Sequence, residues 1–189
     1  MKVYLIRHGK TAGNQEARYV GSTDESILEE ERTRLAGIHY PEVDAVYASP
    51  RKRCLETTEL LYPNHTPVIV NDLAECDFGA FEYKNYKELS GDPDYQAWID
   101  SGGTIGFPGG ESREQFQNRT QRAFWRILLD AERKGFGHIA IVAHGGTVMA
   151  LLERMAAPHK DYYEWHPGNG ECYEFDPDSG RSRKLEENS

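Results

Sequence analysis

Three short apolar runs constrain this chain more than any other feature, because each ends abruptly in a polar, glycine- or proline-bearing turn. Residues 2–6 (KVYLI) run into Arg7-His8-Gly9, residues 44–48 (DAVYA) into Ser49-Pro50, and residues 138–142 (HIAIV) into Ala143-His144-Gly145-Gly146. Such runs are too short for buried helices and rich in β-branched and aliphatic residues, so they read as buried strands. Helical patterns follow them. Asp24 can cap a charged segment over 25–38 with Ile27, Leu28, Leu35 and Ile38 at mixed helical spacing, and Ser49-Pro50 can cap a helix running to about Leu61. A third strand spans 67–70. Residues 112–134 place Phe116, Ala123, Phe124, Ile127, Leu128 and Ala131 on one helical face, which predicts the longest helix, ended by Gly135 and Gly137. A helix over 147–155 follows HIAIV, and a hairpin over 171–175 and 181–185 turns at DPDSG.

Strand, turn and helix in alternation predict an α/β fold: a three-layer α/β/α arrangement around a mostly parallel mixed sheet. At 189 residues the chain fits a single domain over 1–189. The pattern loosens only over 84–110, where a short helix from about Tyr86, another over 95–99 and the glycine-rich SGGTIGFPGG predict a short lid or insertion.

Charge restricts the partners. A formal net charge of -9 argues against nucleic acid, which selects an excess of Lys and Arg on one face. No apolar run approaches a membrane span, and residues 3–6 are too few for a signal-peptide core, so the expected localisation is cytoplasmic. Cys54, Cys76 and Cys172 are widely spaced and read as structural thiols. His39 and Glu42 have an HxxE spacing, but Pro41 breaks the helix that a metal pair would need; neither metal nor other cofactor is expected. His65, His138, His159 and His166 read as structural or surface residues.

In open α/β sheets, ligands bind beyond the C-terminal ends of the strands. Arg7-His8-Gly9, the Ser49 to Arg53 cluster, Glu75 and His144-Gly145 all fall at such ends. Guanidinium groups hold the equatorial oxygens of a transferring phosphoryl group bidentately, which suits Arg7 and Arg53. A histidine between them is kept neutral, so one ring nitrogen of His8 can attack phosphorus. Asn14 can add a side-chain N–H, and Glu75 can shuttle the proton, with Asp72, Asp77 and Glu82 as competing carboxylates. Thr11 and Asn14 could equally serve only to stabilise their turn.

The motifs then carry a resemblance. IRHGKTAGN is similar to the Arg-His-Gly-x-Thr-x-x-Asn signature of the histidine phosphatase superfamily, the phosphoglycerate-mutase-like enzymes, and SPRKRCLET resembles its second signature, with Arg53 and Thr57 on matching positions. LAECDFGAFE resembles the acid-bearing segment, PGGES and VAHGG complete the set, and the order covers nearly the whole chain. The resemblance implies His8 as the phosphorylated nucleophile, Glu75 as acid and base, and His144 as a second catalytic histidine with Arg7 and Arg53. It further implies a phosphate seat of Arg7, Asn14, Arg53, His144 and Gly145. Lys10, Arg51 and Tyr83 stand where the family pattern has Glu, Leu and Gly, and could alter the pocket rim.

The expected activity is hydrolysis of a small phosphorylated metabolite through a phosphohistidine. The short lid and the DFG and GES segments are similar to the alpha-ribazole phosphatase and broad-specificity branch. A mutase that returns the phosphoryl group to its substrate, and a catalytically silent relative that binds a phospholigand, are the alternatives; a homodimer is left open.

Overall fold

The computed structural model describes residues 1–186; the last three positions of the expected 1–189 domain lie outside the described residues. The elements are β1 (Lys2–Arg7), α1 (Ala12–Gln15), α2 (Glu29–Ala36), β2 (Ala45–Ala48), α3 (Lys52–Leu61), β3 (Val68–Ile69), α4 (Pro93–Asp100), α5 (Arg113–Arg133), β4 (His138–Ala143), α6 (Gly145–Met155), β5 (Cys172–Phe175) and β6 (Ser182–Lys184). The strands form one sheet in the order β3-β2-β4-β1-β5-β6. The first four run parallel, and the β5–β6 hairpin adds the antiparallel edge.

Strand alternation builds the layers. Val3 and Leu5 of β1 point into a cluster with Phe124, Ile127 and Leu128 of α5 and Val148 and Leu152 of α6. Tyr4 and Ile6 point the other way, against Cys54 of α3 and Tyr62. Both faces are covered, which is the expected three-layer arrangement, and each fully buried large apolar side chain contributes about 1.5–3 kcal/mol. A separate aromatic cluster of Phe81, Leu89 and Trp98, with Tyr19, Phe78, Tyr95 and Phe107 against it, holds the 84–110 segment in place.

Register aligns the strand ends. Arg7 pairs with Ala143, and Ala48 pairs with Val142. The amide of His8 donates to Ala143 O at 2.9 Å, and that of Ser49 to Val142 O at 3.0 Å. The turns after β1, β2 and β4 therefore leave the sheet side by side.

Several local expectations are corrected. The second helix begins at Glu29 with Leu28 as its cap residue. Asp24 instead accepts from the amide of Lys52 at 2.7 Å, so it caps α3, to which Ser49 had been assigned. Arg51 occupies the position before α3, and Ser49 is drawn away to His144. No helix forms at Tyr86, where turns cover the segment, whereas the 95–99 expectation extends to α4 with Asp92 as its cap. The longest helix has the expected bounds to within a residue: Ser112 and Gln115 form a reciprocal capping box, and Gly135 follows at φ +72°, a conformation that costs glycine little. Among the described residues, no helix is long and apolar enough to cross a membrane.

Candidate active site

The turns after β1 and β4 open onto a cavity of about 290 Å³ lined by Arg7, His8, Asn14, Glu75, Gly145 and Gly146 on its polar side. A larger hollow of about 740 Å³ lies between Tyr4, His39, Glu174 and Arg183, but neither His8 nor Glu75 reaches it.

His8 is buried, and its Nδ1 lies 2.7 Å from Gly9 O. A carbonyl only accepts, so Nδ1 carries the proton and Nε2 carries the lone pair. Burial, followed by the charges of Arg53 and Arg7, holds the imidazole well below its ordinary pKa. The ring is therefore neutral, with its nucleophilic nitrogen defined by one backbone contact. The Gly9 turn is itself tied down, since its amide donates to Thr57 Oγ1 at 2.9 Å and Thr57 Oγ1 donates to Arg53 O at 2.7 Å.

Glu75 sits at the start of α6. Its Oε2 accepts from Gly146 N at 3.0 Å, and its Oε1 accepts from Cys76 N at 2.9 Å. Burial raises its pKa; the two amides and the charges of Arg53 and Arg7 pull the other way without cancelling the rise. A carboxyl so placed can hold a proton at higher pH than an exposed glutamate. The competing carboxylates are occupied elsewhere. Asp77 accepts from Gly79 N at 2.9 Å, Asp72 pairs with Arg126 at 3.5 Å, and Glu82 clamps the amides of Gly21 and Thr23 at 3.0 and 2.8 Å.

Arg7 lines the cavity and donates through Nη1 to Pro167 O at 2.7 Å, while its buried Nε has no protein partner. Arg53 is placed differently from expectation. It is wholly buried behind the cavity wall, and all three guanidinium nitrogens donate to protein: to Thr23 O at 2.7 Å, to Val20 O and Gly21 O at 3.2 and 3.1 Å, and through Nε to His144 Nδ1 at 3.3 Å. Because Nδ1 of His144 accepts, its Nε2 carries the proton and donates to Ser49 Oγ at 2.7 Å. Both His144 nitrogens are thus used by the protein, and its ring meets that of His8 edge-on with centroids 5.2 Å apart.

Asn14 serves the turn and the cavity together. Thr11 and Asn14 form a reciprocal capping box at the start of α1, and Asn14 Oδ1 also accepts from Asn169 Nδ2 at 3.1 Å. With its oxygen committed, its NH2 group is left for the cavity. Asn169 also donates to His8 O at 3.1 Å. It escaped the sequence reading because the tail segment HPGNGE carries no secondary-structure period that would aim it at β1. His166, read as structural or surface, lines the cavity too, and burial lowers its pKa. Much of the remaining wall is aromatic and was not foreseen: Tyr19, Phe78, Trp98, Phe107, Tyr162 and Tyr163 come from five separated places in the chain.

Of the three atypical residues, none borders this cavity. Lys10 is exposed, Arg51 faces a neighbouring hollow, and Tyr83, at φ +59°, donates its hydroxyl to Glu25 Oε2 at 3.1 Å. The three cysteines are buried thiols in the structure.

Known proteins are similar to this chain in sequence and fold. An acid phosphatase from Mycobacterium tuberculosis is 30% identical over 164 residues, covering 81% of this chain and 74% of its own. An adenosylcobalamin/alpha-ribazole phosphatase from Escherichia coli is 27% identical over 163 residues, covering 82% and 79%. The crystal structure of a phosphoglycerate mutase from Thermus thermophilus superposes with a TM-score of 0.75 at 28% identity over 100% of both chains. An alpha-ribazole phosphatase from Shigella flexneri shares the fold with a TM-score of 0.84 at 23% identity, over 100% of this chain and 96% of its own. The model of the histidine phosphatase superfamily (branch 1) matches residues 3–189, and the chain belongs to that family.

Proposed function

We propose that the protein hydrolyses phosphomonoesters through a phosphohistidine on His8, in the manner of the alpha-ribazole and broad-specificity phosphatases it resembles. The observation that carries this reading is the tautomer of His8: a neutral ring whose Nδ1 is fixed by Gly9 O, leaving Nε2 as the nucleophile beside a cavity cation. The phosphoryl group sits against Arg7, the NH2 group of Asn14 and the backbone at Gly145. His8 Nε2 attacks in line, the ester P–O bond breaks, and Glu75 protonates the departing oxygen. Water then gives a proton to Glu75 and its oxygen to phosphorus, the N–P bond breaks, and inorganic phosphate leaves.

Arg53 and His144 act from behind the wall in this scheme. Arg53 adds positive charge that keeps His8 neutral and opposes the charge on the phosphoryl oxygens, while its Nε–H and Ser49 hold the His144 ring against His8. Charge-assisted bonds of this kind contribute about 1.5–3 kcal/mol each. The 84–110 segment covers the leaving-group side as a lid. The test is turnover of p-nitrophenyl phosphate. Wild-type protein is expected to release phosphate and His8→Ala to be inactive; near-normal turnover by His8→Ala would remove the mechanism, and an inert wild type would favour a phospholigand-binding relative.

A further inference from the structure

We propose, resting on the phosphatase reading, that the leaving group this site selects is an uncharged alcohol carrying a flat aromatic ring. Beyond the phosphoryl seat, much of the cavity wall is made of aromatic rings, most of them in mutual contact. Trp98 and Phe107 stack with centroids 5.2 Å apart at 29°, Phe78 meets Phe107 at 5.1 Å, and Tyr19 meets Phe78 at 5.2 Å. Tyr162 and Tyr163, 5.0 Å apart, add a second ring pair to the same cavity. Rings at these separations present both faces and edges, so an inserted ring finds offset and edge-on partners, whereas a polyol meets mostly carbon. The Tyr19 hydroxyl is bonded to that of Tyr95 and the Tyr162 hydroxyl donates to Gly146 O, leaving the Tyr163 hydroxyl and the Trp98 N–H as the polar atoms of these rings.

Charge decides against an acidic leaving group. The two cations that line the cavity away from His8 are already neutralised: Arg18 pairs with Glu16 at 2.6 Å and Glu88 at 2.7 Å, and Arg113 pairs with Glu153 at 2.6 Å while lying 4.4 Å over the Tyr162 ring. A carboxylate or second phosphate on the substrate would have to compete with these carboxylates for the same guanidinium charge. The net charge of -9 adds a field that opposes a further anion. The site is therefore arranged for one anionic group, the phosphoryl, and an apolar ring beyond it.

Phosphonates separate recognition from chemistry. Binding of 2-phenylethylphosphonate, propylphosphonate and inorganic phosphate to the wild-type protein is measured by calorimetry, and kcat/KM is measured for 2-phenylethyl phosphate, propyl phosphate and 3-phosphoglycerate. The two alkyl esters have leaving groups of similar basicity, so the pocket and not the intrinsic chemistry sets their ratio. We expect the phenyl compound to bind about tenfold tighter than the propyl one, with the same preference in kcat/KM and 3-phosphoglycerate the poorest. Trp98→Leu and Phe107→Leu should each bring the phenyl-to-propyl ratio towards one. Equal affinity for the two phosphonates, or a preference for 3-phosphoglycerate, would overturn the proposal while leaving the phosphatase reading intact. Selective phenyl binding without hydrolysis of any ester would support the slot and overturn the phosphatase reading.

Discussion

Gly146→Ala should disable the acid without disturbing the fold. Gly146 lies in the first turn of α6 in a helical conformation that alanine adopts readily, and the exchange by itself favours the helix by about 1 kcal/mol. A Cβ at that position, however, would overlap Glu75 Oε1 and come within 3.0 Å of Cδ and 3.1 Å of Oε2. The obstructing atoms are the far end of a side chain, so the carboxyl swings away by roughly 1 Å and the backbone stays, at a cost that the helix gain partly offsets. A displacement of about 1 Å at a reacting group costs on the order of 100-fold in rate, or about 2.7 kcal/mol, within the range that a general acid supplies. The assay is steady-state turnover of propyl phosphate beside p-nitrophenyl phosphate. Propoxide needs a proton to depart and nitrophenolate does not, so the alkyl ester should lose about 100-fold and the aryl ester under about tenfold. Equal losses on both esters, or none on propyl phosphate with Tm unchanged, would refute Glu75 as the acid.

Three further outcomes follow from the same geometry. The proposed reaction needs neutral His8 and protonated Glu75; His8 is held below its ordinary value and Glu75 above its own, so kcat/KM should fall on the acid side only below about pH 6.5 and on the alkaline side with Glu75, and Glu75→Gln should abolish the alkaline limb once the substrate's own titration near pH 6 is removed. Asn169→Asp replaces the donor that fixes Asn14 and His8 O by a carboxylate, and should weaken competitive inhibition by inorganic phosphate about tenfold while Tm falls by a few degrees; an unchanged inhibition constant would show that Asn14 needs no such support. Arg53→Lys keeps the charge but cannot reach the three carbonyls of Val20, Gly21 and Thr23, each costing about 1–3 kcal/mol when left unpaired, so a large drop in Tm is expected by calorimetry, and unaltered stability would contradict a scaffold role.

Much of the fold was legible because it rests on local rules. Continuous apolar runs that stop at turns marked β1, β2 and β4, the helical spacing of Phe116, Ala123, Phe124, Ile127, Leu128 and Ala131 marked α5, and Gly135 marked its end. The errors are equally physical. Asp24 has the chemistry of a cap, but nothing local says which helix it caps, and the chain brings it to Lys52 and not to its own sequence neighbours. Ser49 likewise has the chemistry of a cap, and the fully buried His144 nitrogen competes for it successfully at 2.7 Å. A buried polar atom without a partner costs more than an exposed helix end that water can satisfy.

The site divides along the same line. Residue types and their order determined by themselves that two histidines, two arginines and a carboxylate reach the ends of parallel strands, since strand ends are set by where apolar runs stop. Only the tertiary structure decided how each is used: Arg7 in the cavity and Arg53 behind it, the His8 nitrogen chosen by Gly9 O, the His144 nitrogens consumed by Arg53 and Ser49, and Asn14 turned by Asn169. The aromatic wall belongs to the same class, because rings from residues 19, 78, 98, 107 and 162–163 share no period and meet only through packing. Local pattern records what a segment can bury and where it must turn; which donor meets which acceptor is settled by strand register and by competition among buried groups.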